Sequence, residues 1–297
     1  QINGCLRDIR NNHLDANISL LTTPPYKKLM KQCPFLDEII IDQRKPRWNL
    51  IYLNQLKSKL IKYNFQKVYD LQNSSRTKFY QRVLFPKSNL NKWSSSETTL
   101  PNDKTKEEFD KSPVLDRFEH QLKTSGLNTK NTMSPDFSWS CSDINNIKKE
   151  YNLEKYIVLF PFCSPHLTNK KWPYYNELID LIKNKFGQQF KIIIAPGPSE
   201  IKDSKTINAT CVLNNGKALD ISELSSLIKE SSFVIANDTG PAHIAAHLNV
   251  KGLTLFGSHT TAHKVSIERE NFKPIQASDL NKLSANKVFE KFVEKIN

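Results

Sequence analysis

Residues 233–257 read FVIANDTGPAHIAAHLNVKGLTLFG, and no other stretch constrains the fold as tightly. FVIAN is a short apolar run with no polar alternation, as in a strand buried on both faces. NDTGP is a cluster of turn residues, and Pro241 suits the first turn of a helix, where its missing N–H costs nothing. AHIAAHL then reads as a short helix, and GLTLFG as a second buried strand. A strand, a helix and a second strand in so little chain form a βαβ unit with parallel strands.

The same alternation runs along the rest of the chain. YIVLFP (156–161) and KIIIAPG (191–197) read as strands, with helices at 173–186, 221–231 and the C-terminal end. The last helix has Ser284 as its N-cap and an apolar stripe of Val288, Phe289, Phe292, Val293 and Ile296. Toward the start, ISLLT (18–22), EIIID (38–42) and KVYDLQ (67–72) read as strands, and Leu53, Leu56, Leu60 and Ile61 recur at helical spacing. Residues 87–111 are polar and read as an exposed loop; Val114, Leu115, Phe118 and Leu122 then mark an amphipathic helix. Residues 128–138, rich in Asn, Thr, Ser and Pro, read as a linker. The expectation is two α/β domains in tandem, 1–138 and 139–297.

A length of 297 residues accommodates two such domains. No apolar run approaches the roughly 18 to 20 residues that a membrane-spanning helix needs. Cys5, Cys33, Cys141, Cys163 and Cys211 are odd in number, widely spaced and without a CxxC pair, which fits a reducing cytoplasm. The formal charge of +13 favours anionic partners, although an AT-rich genome also inflates Lys and Asn. The lysines are dispersed and no nucleic-acid module is visible, so nucleic acid is not an expected partner. The chain opens on Gln1 with neither a basic n-region nor an apolar h-region, and reads as starting inside a longer protein.

In a parallel sheet, ligands bind beyond the carboxyl ends of the strands. Asp238 and Thr239 lie there, Gly240 lets a phosphate approach the backbone, and the helix N-terminus behind them favours an anion. His243 sits one turn in. An ordinary strand-to-helix turn capped by Asp and Thr uses the same residues. Asp-Thr-Gly also occurs in aspartic proteases, but in β-rich surroundings. His243 and His247 stand at zinc-binding spacing without HExxH or an evident third ligand. A second strand end, PFCSPHLTNKKWP (161–173), brings Ser164, His166, Thr168, Lys170 and Lys171 to a helix start, where a lysine can stabilise a diphosphate leaving group. Its plainer reading is a solvated basic loop with Trp172 stapling the helix to the sheet. Arg76 and Lys78 read as part of a solvated loop rather than as ligands of an acceptor phosphate.

DTGPAHIAA (238–246) followed by FG (256–257), KKWP (170–173), CPFLDEIIIDQR (33–44) and KVYDLQNSSR (67–76) together resemble glycosyltransferase family 9, the ADP-heptose:lipopolysaccharide heptosyltransferases. The resemblance covers nearly the whole chain. It implies the GT-B fold, two Rossmann-like domains facing across a cleft, with acceptor-side and donor-binding roles for 1–138 and 139–297. The implied reaction is inverting and metal-independent transfer of heptose from ADP-heptose to a lipopolysaccharide (lipid A-core) acceptor, without a cofactor. Carried over by residue, Thr239 and Gly240 would meet the donor diphosphate, Asp238 and His243 the sugar or its phosphate, and Lys170 the leaving ADP, with Ser164 nearby. Glu200 would contact the donor and Leu219 the adenine. Another nucleotide sugar, or a degenerate non-catalytic sugar-nucleotide-binding protein, fits the same residues. The chain departs from the family in having Pro161-Phe162 where Pro-Gly is usual. The strand and Gly-Asp loop that carry the family's general base are also missing, so the base is expected upstream of Gln1. The basic balance suits peripheral contact with an anionic leaflet, on the cytoplasmic face of the inner membrane.

Overall fold

The computed structural model describes residues 1–85, 92–164 and 166–296. The chain divides into two compact units, Gln1–Pro135 and Asp136–Asn297.

The second unit is built on six parallel strands: β5 (Tyr156–Phe160), β6 (Lys191–Ile194), β7 (Thr210–Cys211), β8 (Phe233–Asn237), β9 (Gly252–Phe256) and β10 (Phe272–Gln276). Their order across the sheet is β10-β9-β8-β5-β6-β7. Counted from the first strand of this unit, that is the 3-2-1-4-5-6 order of a doubly wound dinucleotide-binding fold. Side chains of β5 alternate between two cores. Tyr156, Val158 and Phe160 join one with Leu227 and Ile228 of α9 (Ile221–Lys229) and Ala242 and Ala245 of α10 (Gly240–His247). Ile157 and Leu159 join the other with Leu178, Ile179 and Ile182 of α8 (Tyr175–Phe186) and Val288 and Phe292 of α11 (Ala285–Ile296). This two-sided burial is why the strand sequences lack polar alternation. Gly252 is required by packing: a Cβ there would lie 2.6 Å from the Val234 carbonyl and 2.7 Å from the Phe272 ring. Ser284 Oγ accepts the Lys287 N–H at 3.3 Å, as an N-cap does. A short helix, α7 (Asn145–Glu150), precedes the sheet.

The first unit contains α1 (Asn3–Asn12), β1 (Ser19–Thr22), α2 (Lys27–Met30), β2 (Glu38–Ile41), α3 (Leu50–Ile61), β3 (Val68–Tyr69), α4 (Ser75–Leu84), β4 (Trp93–Ser94), α5 (Lys106–Phe109) and α6 (Val114–Thr124). Its described strands form two separate parallel pairs, β1 with β2 and β3 with β4. One apolar cluster joins α1 to α6 through Cys5, Ile9, Leu115, Phe118 and Leu122. Another joins β2, α3 and α4 through Ile40, Leu53, Leu56, Leu60, Tyr80 and Leu84.

Two sequence expectations change here. Of the polar stretch 87–111, residues 87–91 lie outside the described residues; residues 102–105, 107, 108 and 111 are exposed as expected, but residues 93–96 and 99 are not. Trp93, Ser94, Ser96 and Thr99 are buried. Gln121 Nε2 donates to the Ser94 carbonyl, Asn73 Oδ1 accepts the Ser96 N–H, and Trp93 packs edge-on against Phe85 at 5.0 Å. Hydroxylic residues can be buried when such partners exist, and composition does not reveal partners. The stretch 128–138, read as a linker, is clamped over its first half. The buried Asp8 carboxylate of α1 accepts the N–H groups of Lys130, Asn131 and Thr132, the Asn131 side-chain amide and the Thr132 hydroxyl. These bonds hold its carboxyl below the usual carboxylate range against the opposing effect of burial.

Replacing Asp8 by Ala would leave five donors without their acceptor. Asp8→Ala should therefore destabilise the protein by on the order of 3 kcal/mol, and Asp8→Asn by less. Urea titration measures this; a midpoint unchanged in Asp8→Ala would show that the clamp contributes nothing.

Candidate functional site

Strands β5 and β8 are neighbours, but the chain leaves them toward opposite faces of the sheet. After β5 it continues to α8 on one core, and after β8 to α10 on the other. Divergence of this kind opens a crevice at the carboxyl ends of the two strands. Asn237 closes its floor: its Nδ2 donates to the Pro161 carbonyl at 2.9 Å, and its Oδ1 accepts the Tyr175 hydroxyl at 3.2 Å. Trp172 is buried, donates its indole N–H to the Leu283 carbonyl at 2.7 Å and stacks edge-on with Tyr175. The loop after β5 is therefore anchored at both ends.

Three strand-end loops and α10 converge on Asp238. Its buried carboxylate Oδ2 accepts from Lys170 Nζ at 2.6 Å and from His259 Nε2 at 3.1 Å, and His243 Nε2 lies 3.7 Å from Oδ1. Burial alone would raise the pKa of this carboxyl. The combined approach of His243, Lys170 and His259 outweighs it and holds the group well below the usual range, so Asp238 is an anion. His259 Nε2 must then carry the hydrogen of this bond. The Nδ1 atoms of His243 and His259 are both buried and have no hydrogen-bond partner among the described residues. His259 is the functional candidate that sequence reading missed. Its one signal was position, in the loop beyond GLTLFG, another strand end. The His259 ring is fixed by stacking on Phe256, 6.0 Å between centroids and 18° between planes.

Thr239 occupies the N-cap position of α10 in extended conformation, but no side chain caps the helix. Its hydroxyl donates to the Asn237 carbonyl at 3.3 Å, and Asp238 is engaged by Lys170 and the histidines. The plain capped-turn reading of Asp238 and Thr239 therefore fails. A Cβ built on Gly240 would meet no atom within 4 Å, so internal packing does not require glycine there.

Ser164 is exposed on the loop that carries Lys170. Glu200 folds onto its own loop after β6, its Oε2 accepting the Gly197 N–H at 2.8 Å. Burial raises the pKa of the Cys163 thiol on the loop after β5. Leu219 is partly buried against the core beside α9. Among the described residues no hydrogen bond or ion pair joins Ser164, Glu200 or Leu219 to the Asp238 cluster. His247 is buried on the core side of α10, and no three His, Cys, Asp or Glu residues group as a metal-binding set among the described residues. In the first unit, Arg76 and Lys78 belong to α4 rather than to a loop. Arg76 donates to the Tyr80 hydroxyl and the Lys45 carbonyl, and Lys78 pairs with Glu97.

The family model of glycosyltransferase family 9 (heptosyltransferase) matches residues 53–291. Escherichia coli ADP-heptose lps heptosyltransferase II has a similar fold: TM-score 0.73, 14% identity, covering 99% of this chain and 93% of that one. E. coli heptosyltransferase WaaC, solved with ADP, gives a TM-score of 0.71 at 16% identity over 100% and 97% of the two chains. A family 9 glycosyl transferase from Veillonella parvula gives 0.71 at 15% identity over 93% and 81%. Among curated proteins none matches the chain by sequence.

Two pH effects follow. The folded pKa of Asp238 is depressed, so the stability it contributes is complete above about pH 4, the unfolded value, and is lost as pH falls below that. Asp238→Asn should melt lower than wild type at pH 7, and the gap should narrow as pH drops below about 4. Burial holds His247 well below its ordinary value. The unfolded chain then takes up a proton that the folded one refuses, and stability declines as pH falls below about 6.5. His247→Leu should flatten the melting-temperature profile between about pH 6.5 and 5; an unchanged slope would assign that dependence to other groups.

Proposed function

The chain belongs to glycosyltransferase family 9, the heptosyltransferase family, and on that premise we propose that it transfers heptose from ADP-heptose to a lipopolysaccharide core acceptor. The observation that carries the reading is the 2.6 Å contact between Lys170 and the buried Asp238, beside a helix N-terminus that no side chain caps. A diphosphate seated at Thr239 and Gly240 meets the Gly240 N–H and the positive dipole end of α10, the Ala242 and His243 N–H groups being bonded to the Thr239 carbonyl. Lys170 then exchanges one anion for another, turning from the Asp238 carboxylate to the diphosphate. Asp238 keeps its hydrogen bond to His259 as Lys170 moves, so its carboxylate is not left without a donor. As the acceptor hydroxyl attacks the anomeric carbon from the opposite face and gives up its proton to a base, the bond to the ADP oxygen breaks. Lys170 stabilises the charge that develops there, in the role a metal ion takes in other transferases. Ser164 lies on the same loop, Glu200 positions the β6 loop for donor contact, and Leu219 offers an apolar surface to the adenine. E. coli WaaC has been solved with ADP and with ADP-2-deoxy-2-fluoro heptose, which supports a nucleotide-sugar donor here. A lipid-borne acceptor places the protein at the cytoplasmic face of the inner membrane.

Calorimetry with ADP and ADP-heptose tests the reading. Removing one charge-assisted bond costs roughly 1.5–3 kcal/mol, so Lys170→Ala should weaken ADP binding about tenfold to a hundredfold. No heat with either ligand on the wild type would sink the donor assignment. Tighter binding of a uridine or guanosine diphosphate would redirect it to another nucleotide sugar.

A further inference from the structure

Among the described residues, the three most exposed large hydrophobic side chains lie within four positions of one another. They are Trp48 at 80%, Leu50 at 74% and Ile51 at 75% exposure, in the segment QRKPRWNLI that joins β2 to α3. Scattered exposed apolar residues need no explanation, but a cluster does.

The segment is held in shape. Asp42, buried at the end of β2, accepts the hydroxyls of Tyr52 at 2.5 Å and Tyr80 at 2.9 Å and the Arg44 N–H at 2.7 Å. That last bond supports Arg44 in left-handed backbone, φ 48, which residues other than glycine seldom adopt. Arg76 donates to the Lys45 carbonyl at 2.5 Å, and Asn49 caps α3 by accepting the Tyr52 N–H at 3.0 Å. The apolar tip is thus presented outward by a rigid base, while the next turns of α3 bury Leu53, Leu56 and Leu60 in the core.

The same segment carries Arg44, Lys45 and Arg47, and none is paired with a carboxylate among the described residues. Arg44 donates to the Gln72 side-chain oxygen at 2.7 Å and Arg47 to the Ser75 hydroxyl at 2.9 Å, both neutral partners. Arg47 also lies over the Phe79 ring, 5.5 Å from its centroid. Three uncompensated cations flank an apolar tip of Trp, Leu and Ile. Nucleic acid would use the cations and the Trp ring but gains nothing from Leu50 and Ile51. An apolar protein surface would use the tip and leave the cations unmatched. The headgroup region of an anionic bilayer satisfies both, with apolar side chains at the acyl boundary and basic ones among the phosphates.

We propose that residues 43–51 dock the protein on an anionic lipid bilayer, with Trp48, Leu50 and Ile51 entering its interface. The purpose of this surface rests on the lipid-borne acceptor proposed above, but vesicle binding itself needs neither donor nor acceptor.

The test is co-sedimentation of the full chain with vesicles of phosphatidylcholine, with and without phosphatidylglycerol. Wild type should bind the anionic vesicles, and raised salt should weaken the binding. The triple variant Trp48→Ser, Leu50→Ser, Ile51→Ser should bind at least about tenfold more weakly, as expected when interfacial apolar burial is removed. Lys45→Gln with Arg47→Gln should bind more weakly and lose most of the salt dependence. These side chains are exposed and outside the donor site, so ADP calorimetry should be unchanged in every variant. Failure of wild type to bind anionic vesicles, or binding by the triple variant equal to wild type, overturns the proposal. Retention on heparin that depends on the basic residues alone, without vesicle binding, overturns it in favour of a soluble polyanion. Vesicle binding without ADP binding would instead remove the donor reading and leave this surface standing.

Discussion

A buried carboxylate at the switch point of a parallel sheet organises the candidate site. Asp238 cannot stay charged in that position alone, because desolvation would drive it to neutrality. It stays ionised because a lysine from one strand-end loop, a histidine from another and a second histidine from the helix behind it all turn toward it. One charge thus gathers two other strand-end loops and the helix that directly follows it. The same arrangement readies Lys170 for a competing anion, since a diphosphate offers what the carboxylate offers. Among the described residues, two buried ring nitrogens without hydrogen-bond partners border the cluster.

The sheet makes this possible through its winding order. Because the chain leaves β5 and β8 toward opposite faces, the loops at their ends part, and a side chain can be both buried and reachable. Asn237, adjacent to Asp238, has the opposite task. Its side chain ties β8 to the end of β5 and to Tyr175, so the crevice floor is rigid where its rim must adapt. Neighbouring residues at one strand end divide structural and chemical roles between the two faces of the strand.

The first unit depends on buried acceptors more than on a continuous sheet. Asp8 collects donors from residues 130–132, and Asp42 collects two tyrosines and a backbone N–H at the root of an exposed basic loop. Gln121 and Asn73 perform the same service for the serines after Trp93. Such networks rigidify the segments they satisfy. They also explain why a polar composition was a poor guide to exposure at Ser94, Ser95, Ser96, Thr99 and Thr132.

What the sequence determined by itself was whatever local chemistry dictates. Unbroken apolar runs of the length of FVIAN and YIVLF require burial on both faces and hence a parallel sheet. Gly-Pro after Asp238 requires a turn into a helix, and strand-end loops rich in donors mark where ligands gather. Asp238 and His243 were legible on those grounds and Lys170 through the family resemblance, and the structure brings the three together. His259 was not, because a histidine in a polar loop has no periodicity or spacing to betray it. Only the strand order, which sets β9 beside β8, brings it within reach of Asp238. The burial of Ser94 and Ser96, the clamp at Asp8 and the outward hold on Trp48 were decided at the same level. Each depends on partners distant in sequence, and local propensity carries no information about which distant groups will satisfy a hydrogen bond.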